Sequence, residues 1–157
     1  MSRLILFIGS DHAGLQLKEF LKKKLAEASD NAITVTDVGT NSTESCDYPD
    51  FAAKVANQVS AAATTGSSNT LGVLVCGSGI GMAISANKIP HVRATVAWDA
   101  SSARLCREHN DVNVLCFGQR LTGEQVAWDA LQAWLGASFL KGRHGLRVEK
   151  ISKLEKR

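Results

Sequence analysis

The stretch LGVLVCGSGIGM, residues 71–82, joins an apolar run to a glycine-rich turn. A short apolar run between turn signals is typical of a strand buried on both faces of a parallel sheet. The glycines that follow Cys76 indicate a tight strand-to-helix turn, and backbone amides at such a helix N-terminus bind anions. The stretch therefore predicts an α/β protein with a ligand site at the end of this strand.

Four other apolar runs have the same form, and segments of helical period separate them. This alternation predicts βα units and a parallel sheet. We expect one α/β domain over residues 1–157: a Rossmann-like five-stranded parallel sheet sandwiched by helices, with a C-terminal helical segment. Among doubly wound folds we favour the flavodoxin-like strand order 2-1-3-4-5, whose ligand crevice lies at the carboxyl ends of strands 1 and 3. The predicted strands are Leu4 to Gly9, Ile33 to Val38, Leu71 to Cys76, Arg93 to Trp98 and Asn113 to Phe117.

The first predicted helix is amphipathic, with Leu17, Leu21 and Leu25 on one stripe. Lys18 and Lys22 are predicted to point away from this stripe, into solvent. The apolar stripe is therefore expected to form core against the sheet. The other predicted helix boundaries are an N-cap at Asp99, a capping box of Thr122 with Gln125, and an end of the third helix at Pro90.

Composition limits the class of protein. The chain is 45% hydrophobic and 21% charged, which is typical of a globular domain that folds unaided. Much of the net charge of +3 comes from lysines in residues 18–24 and a basic tail at residues 153–157, which we interpret as a solvated helix face and chain end. We therefore expect no nucleic-acid partner. No apolar run approaches the ~20 residues of a membrane span, so we also expect no membrane contact.

Cysteine and histidine spacing argues against disulfides and metals. Cys46, Cys76, Cys106 and Cys116 are spread along the chain without a C-x-x-C pair, which favours reduced thiols in the cytoplasm. The four histidines are scattered without an H-x-x-x-H pair, so we expect no metal. Met82 stands where a dinucleotide motif has its third glycine, so a nucleotide cofactor is not expected.

Polar residues are predicted to gather around the crevice. Cys76 ends the third strand, where the positive end of a helix dipole stabilises a thiolate. Asp11 follows the first strand and fits either a helix N-cap or a functional carboxylate. His12 follows an all-apolar strand and needs solvent or a partner, which favours a functional role.

Three more segments have both a structural and a functional interpretation. Asp47 and Tyr48, ahead of a proline, first indicate a helix start and second a substrate contact. His109 fits either a histidine stabilised near a helix C-terminus or an acid–base imidazole. Arg143 and Arg147 would share a helix face, which either binds phosphate or faces solvent.

Seven motifs, in order along nearly the whole chain, are similar to those of type B ribose-5-phosphate isomerases. That family shares its fold with the galactose-6-phosphate isomerase subunits. The agreement is specific because all seven motifs keep register with the predicted βα units. The motifs are GSDHAG (9–14), DVGT (37–40), DYPDFA (47–52), CGSGIGM (76–82), SANKIPHVRA (85–94), REHNDVNVLCFGQR (107–120) and GRHGLR (142–147).

The resemblance implies an aldose–ketose isomerase that moves a proton between C1 and C2 through an enediolate, without a cofactor or a metal. The family's base is a cysteine at the end of the third strand, matched by Cys76, or a glutamate in the turn. The residues through Met82 contain no acid, which favours the cysteine type. Ser78 stands where cysteine-type members often have threonine and keeps the hydroxyl. The resemblance further implies that His109 donates the proton for ring opening and that Asp11 assists it.

The resemblance also implies a sugar phosphate held by the amides of the turn and by polar side chains from distant segments. Family members are dimers or tetramers with sites between subunits, so we expect at least a homodimer. The alternatives are an isomerase of a six-carbon sugar phosphate, such as allose or galactose 6-phosphate, and a non-catalytic module that binds a phosphorylated ligand. The implied substrate-binding residues are His12, Asp47, Tyr48, Gly77, Gly79, Ile80, Gly81, Asn110, Arg120, Arg143 and Arg147.

Overall fold

The structure, a computed structural model, describes residues 3–28 and 32–155. Five parallel strands form one sheet, and helices cover both of its faces. The α/β class and the C-terminal helix are as predicted, while residues 156 and 157 of the basic tail lie outside the described residues. The strands are β1 (Leu4–Ser10), β2 (Ile33–Asp37), β3 (Thr70–Cys76), β4 (Ala94–Val96) and β5 (Val114–Gly118); the helices are α1 (Leu15–Ala28), α2 (Tyr48–Thr64), α3 (Ile80–Ala86), α4 (Ala100–Asn110), α5 (Glu124–Gly136) and α6 (Arg143–Lys153).

The strand order is β2-β1-β3-β5-β4, so the predicted order 2-1-3-4-5 is wrong. Each residue of β5 is buried, and β5 pairs with β3 in the interior of the sheet. In contrast, β4 has three half-buried residues and lies at the edge. Because helices cover an interior strand on both faces, the longer and fully apolar strand takes that place.

Alternate residues of β3 face two separate halves of the core. Val73 and Val75 pack into the half formed with α1 and α5, whereas Leu74 and Cys76 pack into the half formed with α2 and α3. Burying one such Val or Leu side chain contributes about 1.5–3 kcal/mol. Cys76 is therefore held at the carboxyl end of the sheet, on the face that α2 and α3 cover.

Lys18 corrects the predicted solvent-facing side of the first helix. Its side chain is fully buried, whereas Lys22 is partly exposed. The reason is an ion pair: the Lys18 ammonium lies 2.9 Å from a carboxylate oxygen of Asp37 at the end of β2. A buried charge is tolerated when such a partner is present.

Three predicted helix boundaries have different outcomes. Asp99 is confirmed as the N-cap of α4, because its carboxylate accepts the amide of Ser102 at 2.6 Å.

The Thr122 capping box is wrong: α5 begins one residue later with Gly123 as its N-cap, and Gln125 instead donates to Asp129. The Thr122 amide bonds to the carbonyl of Gly118, and this turn buries the hydroxyl that would have capped the helix. The third helix, predicted to end at Pro90, ends earlier, at Ala86, where the Asn87 side chain bonds to both backbone groups of Ala94.

Within residues 3–28 and 32–155, none of the helices has both the length and the apolar character needed to cross a membrane.

Candidate functional site

The glycine-rich turn places a thiol against a backbone amide. Cys76 ends β3, and the amide of Gly79 donates to its sulfur at 3.1 Å. Gly79 has φ +78°, and a Cβ there would lie 2.9 Å from the backbone of Phe117, so glycine alone fits this position. An N–H donor at this distance stabilises negative charge on the sulfur. The turn therefore presents an N–H donor directly to the Cys76 sulfur.

Ser78 and Ile80 form the outer side of the same turn. The Ser78 hydroxyl accepts the amide of Ile80 at 3.3 Å, next to the first residue of α3. The Ile80 side chain is half exposed. The Ser78 hydroxyl therefore lies in the same turn as the sulfur, and a hydroxyl of this kind can donate a hydrogen bond to an oxyanion.

Asp11 and His12 lie at the end of the neighbouring strand. Asp11 is buried, and its carboxylate accepts the amide of Gly14 at 3.0 Å, which confirms the N-cap interpretation. His12 is half-buried, and its Nδ1 accepts the amide of Cys46 at 3.2 Å. The Cys46 sulfur also lies 3.8 Å from Nδ1, so the ring has the partner that the sequence required, and both the backbone and the side chain of Cys46 contact it. Cys46 was not predicted, because a backbone contact leaves no side-chain signal in the sequence.

Asp47 and Tyr48 begin α2, as the sequence predicted. Asp47 is the N-cap residue, but its side chain makes no capping hydrogen bond. The Tyr48 ring lies over the glycine turn, where a Cβ added to Gly81 would be 2.6 Å from two ring carbons. The start of α2 therefore lies beside the end of β3.

Arg120 comes to the turn from the end of β5. Its guanidinium lies close to Gly77, where a Cβ would be 3.1 Å from Nη1. Its own amide bonds to the Gly77 carbonyl at 3.0 Å, and the amide of Gln119 bonds to the Cys76 carbonyl at 2.9 Å. Gln119 also accepts the amide of Leu17 at 3.0 Å, a linking role that the sequence did not reveal.

We call the residues gathered at this end of the sheet the cysteine group: Asp11, His12, Asp47, Tyr48, Cys76, the turn 77–81 and Arg120.

The remaining predicted site residues lie at the amino-terminal end of the sheet, whereas Cys76 lies at the carboxyl end of its strand. His109 and Asn110 end α4, just before β5 begins at Val114, whereas Cys76 pairs with Gly118 at the far end of β5. The four residue steps between the two ends of β5 correspond to ~13 Å. Arg143 and Arg147 lie one turn apart in α6, whose predicted helical form is confirmed. We call these residues, with His144, the histidine group: His109, Asn110, Arg143, His144 and Arg147.

His144 joins the two helices of the histidine group. Its ring stacks on that of His109, with centroids 4.2 Å apart and planes 4° from parallel. Burial lowers the pKa of His144, and the nearby positive charges of His109, Arg143 and Arg147 lower it further. The two rings therefore pack in a strongly basic environment that suits an anionic ligand.

The other thiols differ from Cys76 in their surroundings. Burial raises the pKa of Cys106 to about 11, against the opposing effect of Arg107. Burial also raises the pKa of Cys116, and the neighbouring Cys76 adds to this effect. All four cysteines are free. In the described part of the chain, no three His, Cys, Asp or Glu side chains are grouped closely enough to hold a metal ion.

Known proteins of one family match nearly the whole chain. The sequence model of the family described as ribose/galactose isomerase matches residues 6–151. Ribose-5-phosphate isomerase B of Escherichia coli (strain K12) is 43% identical over 149 residues, which are 95% of each chain. The structure of the Clostridium thermocellum ribose-5-phosphate isomerase B is similar with a TM-score of 0.88 at 42% identity, covering 98% of both chains. A Mycoplasma genitalium ribose-5-phosphate isomerase B with bound ribulose 5-phosphate has a TM-score of 0.91 at 35% identity, covering 100% of this chain and 99% of that one.

Proposed function

The chain belongs to the ribose/galactose isomerase family, and from this membership we propose that it interconverts D-ribose 5-phosphate and D-ribulose 5-phosphate. The relatives from E. coli and C. thermocellum bear the name of that enzyme, and the M. genitalium structure contains its ketose. The observation that carries the proposal is the Cys76 sulfur at the end of β3, which accepts the amide of Gly79 in a turn rich in N–H donors.

In the proposed reaction, the Cys76 thiolate is the base. It takes the proton from C2 of the open-chain aldose, and the electrons of the broken C–H bond form the C1–C2 double bond of an enediolate. The amides of the turn 77–81 and the hydroxyl of Ser78 stabilise the oxygen that becomes negative. The hydroxyl proton on O2 passes to O1 while the thiol returns its proton to C1, which gives the ketose with O2 as the carbonyl oxygen and restores the thiolate. The step is balanced without a cofactor or a metal, since one proton moves from C2 to C1 and one from O2 to O1.

Ring opening and phosphate binding are assigned to side chains of both groups. We assign proton donation to the furanose oxygen to His109, with Asp11 assisting, because a carboxylate that caps a turn has capacity for further hydrogen bonds. Asn110, Asp47 and Tyr48 are assigned to the sugar. The phosphate is assigned to His12 and to three arginines, whose forked donors match phosphate oxygens. These arginines are Arg120, Arg143 and Arg147.

We also propose a homodimer in which the histidine group of one subunit faces the cysteine group of its partner. One subunit holds the two groups at opposite ends of the strands. A complete site therefore needs a second copy. Apolar side chains around the cysteine group support this: Ile84, Trp98 and Leu121 are 58%, 51% and 58% exposed. Large apolar side chains with half or more of their surface exposed are frequent in protein interfaces. Size-exclusion chromatography with light scattering distinguishes monomer, dimer and tetramer.

A cytoplasmic location is part of the same proposal. All four cysteines are free, and the reducing cytoplasm maintains thiols in that state. Cys76 must stay reduced to act as a base, because a disulfide sulfur does not accept a proton at neutral pH.

Turnover of purified protein in excess EDTA tests the proposed activity. We expect conversion of D-ribose 5-phosphate to its ketose, and slower conversion of allose 6-phosphate and galactose 6-phosphate. Faster turnover of a six-carbon sugar phosphate would change the proposed substrate and leave the proposed aldose–ketose isomerisation in place. Binding of these sugar phosphates without any turnover would instead favour a non-catalytic binding module.

A further inference from the structure

We propose that Lys18 is a positioning residue that fixes the His12 imidazole with its proton on Nε2. Lys18 acts through Asp37 and the loop that follows it, residues 38–47. The proposal rests on the assignment of His12 as a phosphate ligand. The observation that carries it is a buried ammonium that holds the start of the loop, while the amide of Cys46 near its end bonds to His12.

The ammonium of Lys18 ties helix α1 to the start of the loop. Its side chain is fully buried, and Nζ donates to Oδ1 of Asp37 at 3.0 Å and to the carbonyl of Thr40 at 2.6 Å. Taking an ammonium out of water costs free energy that is recovered only when its geometry and partners are well placed. The ammonium also lies 3.5 Å from a carboxylate oxygen of Glu19 on its own helix. Asp37 and Thr40 belong to one short segment, so Lys18 holds that segment at two points.

Asp37 is a charged partner for Lys18. Its carboxylate also accepts the amide of Gly39 at 2.8 Å and the ammonium of Lys22 at 2.7 Å. Burial alone would raise the pKa of Asp37, but the hydrogen bonds from Lys22 and Lys18 outweigh burial and hold the pKa below its ordinary value. The ion pair therefore persists at neutral pH.

The anchored segment lies directly against the strand that leads to His12. The amide of Thr40 donates to the carbonyl of Ser10 at 3.0 Å. Gly39 packs so closely that a Cβ there would lie 2.5 Å from the Ser10 nitrogen. The position of the loop relative to the end of β1 is thus set by backbone contacts, and Lys18 holds those contacts from the other side.

Short local hydrogen bonds carry this order from Thr40 toward Cys46. The Thr40 hydroxyl accepts the amide of Ser42 at 3.1 Å, and the Ser42 hydroxyl accepts the amide of Glu44 at 3.0 Å. Each is a local side-chain-to-backbone bond that restricts the chain. The loop therefore places the Cys46 amide in a defined position.

The Cys46 amide decides which nitrogen of His12 carries the proton. A backbone amide can only donate, so the Nδ1 that accepts it has no proton, and a neutral imidazole must be protonated at Nε2. An Nε2–H group donates to a phosphate oxygen. The opposite tautomer would place its Nδ1–H against the Cys46 N–H, could donate only weakly to the Cys46 sulfur 3.8 Å away, and would present a lone pair to the phosphate.

Changing Lys18 to methionine tests the proposal, because methionine keeps the length of the side chain and removes the ammonium. We expect the loop to loosen and the second tautomer of His12 to appear. The KM should then rise about 10-fold while kcat stays within about 2-fold, since the lost contact is to the phosphate and not to the reacting carbons. Lys23→Met is the matched control: Lys23 lies on the same helix with 77% of its side chain exposed, so KM and tautomer should not change.

The decisive readout is long-range ¹H–¹⁵N correlation NMR of histidine-labelled protein, with the His12 signals assigned from a His12→Asn variant. The expected result is an Nε2–H ring in the wild type and mixed tautomers in Lys18→Met. Should Lys18→Met fail to fold, Asp37→Asn removes the charged partner and should give the same mixture. A wild-type proton on Nδ1, or an unchanged His12 ring in a folded variant, would overturn the proposal. Because this readout needs no substrate, a changed tautomer in a protein without isomerase activity would refute only the proposed function.

Discussion

The rings of His109 and His144 stack with centroids 4.2 Å apart, at the opposite end of the strands from Cys76. His109 ends α4 and Cys76 ends β3, so regular elements of one subunit hold the two side chains apart. The stack therefore supports the proposal that each site is assembled from two subunits, and it leads directly to a test of that proposal.

Mixed dimers of two inactive variants should recover activity. Cys76→Ala lacks the proposed base and His109→Ala lacks the proposed acid, so each alone should be nearly inactive. After equal mixing and random exchange of subunits, half of the dimers are hybrids with one intact site, so activity should return to about a quarter of the wild-type value. The measurement is turnover after co-refolding. A mixture no more active than its components would show that the site does not combine the two subunits.

The stability of the protein should fall in mild acid because of His144. Its pKa lies below the ordinary value of 6.5 in the folded state, through burial and then the positive charges of His109, Arg143 and Arg147. The unfolded chain therefore takes up this proton first, so the stabilising contribution is present above about pH 6.5 and is lost as pH falls through the folded-state pKa. Thermal unfolding at several pH values should show a steeper loss of Tm in the wild type than in His144→Gln. Parallel curves for the two proteins would contradict this.

Gly81→Ala should weaken substrate binding more than it changes stability. Alanine in α3 favours the helix by about 1 kcal/mol over glycine, but its Cβ must displace the Tyr48 ring. These effects oppose each other in the free energy of unfolding, whereas KM should rise about 3- to 10-fold because Tyr48 is moved from the site. Gly136→Ala is the control, since a Cβ at Gly136 meets open space. Equal KM values for both variants would place Tyr48 outside the site.

Arg93 should hold the end of α4 in place. It donates to the carbonyls of Asn110 and Asp111 at 3.1 and 2.9 Å, and to the Asp111 carboxylate at 2.8 Å. Arg93→Met should therefore lower the free energy of unfolding by about 1–3 kcal/mol and also reduce kcat, because His109 lies in the same turn. Arg104→Met removes an exposed ion pair with Glu108 and should cost at most about 0.5 kcal/mol. Similar losses in urea unfolding for both variants would disprove the anchoring role.

Much of the fold could be predicted from the sequence, because apolar runs and glycine turns report burial directly. All five strands lie where the apolar runs predicted them. The strand order could not be predicted, since the β4 and β5 segments are both apolar and only their pairing with β3 decides which lies inside. Lys18 was misplaced for a related reason: helical periodicity assigns a lysine to solvent unless its acidic partner, 19 residues away, is already known.

The site could be predicted as a set of residues but not as a geometry. The motifs located Cys76 and His109 correctly at the ends of their elements. The motifs did not show the distance between these two residues. A helix that follows a parallel strand runs back to the amino-terminal end of the sheet, and this separates His109 from Cys76. Contacts made by backbone atoms, such as the Cys46 amide on His12, depend on loop conformation and have no side-chain pattern to reveal them.

Comparing wild-type and Cys76→Ala protein in excess EDTA tests directly whether the Cys76 thiolate is the base. Cys106→Ala is the control. The measured quantities are kcat for D-ribose 5-phosphate and the Kd for D-ribulose 5-phosphate. We expect Cys76→Ala to lose about 10²- to 10⁴-fold in kcat, because a base acts only in the transition state, while the Kd changes by less than about 3-fold. Cys106→Ala should behave as the wild type. A Cys76→Ala enzyme that keeps nearly full kcat would show that Cys76 is not the base.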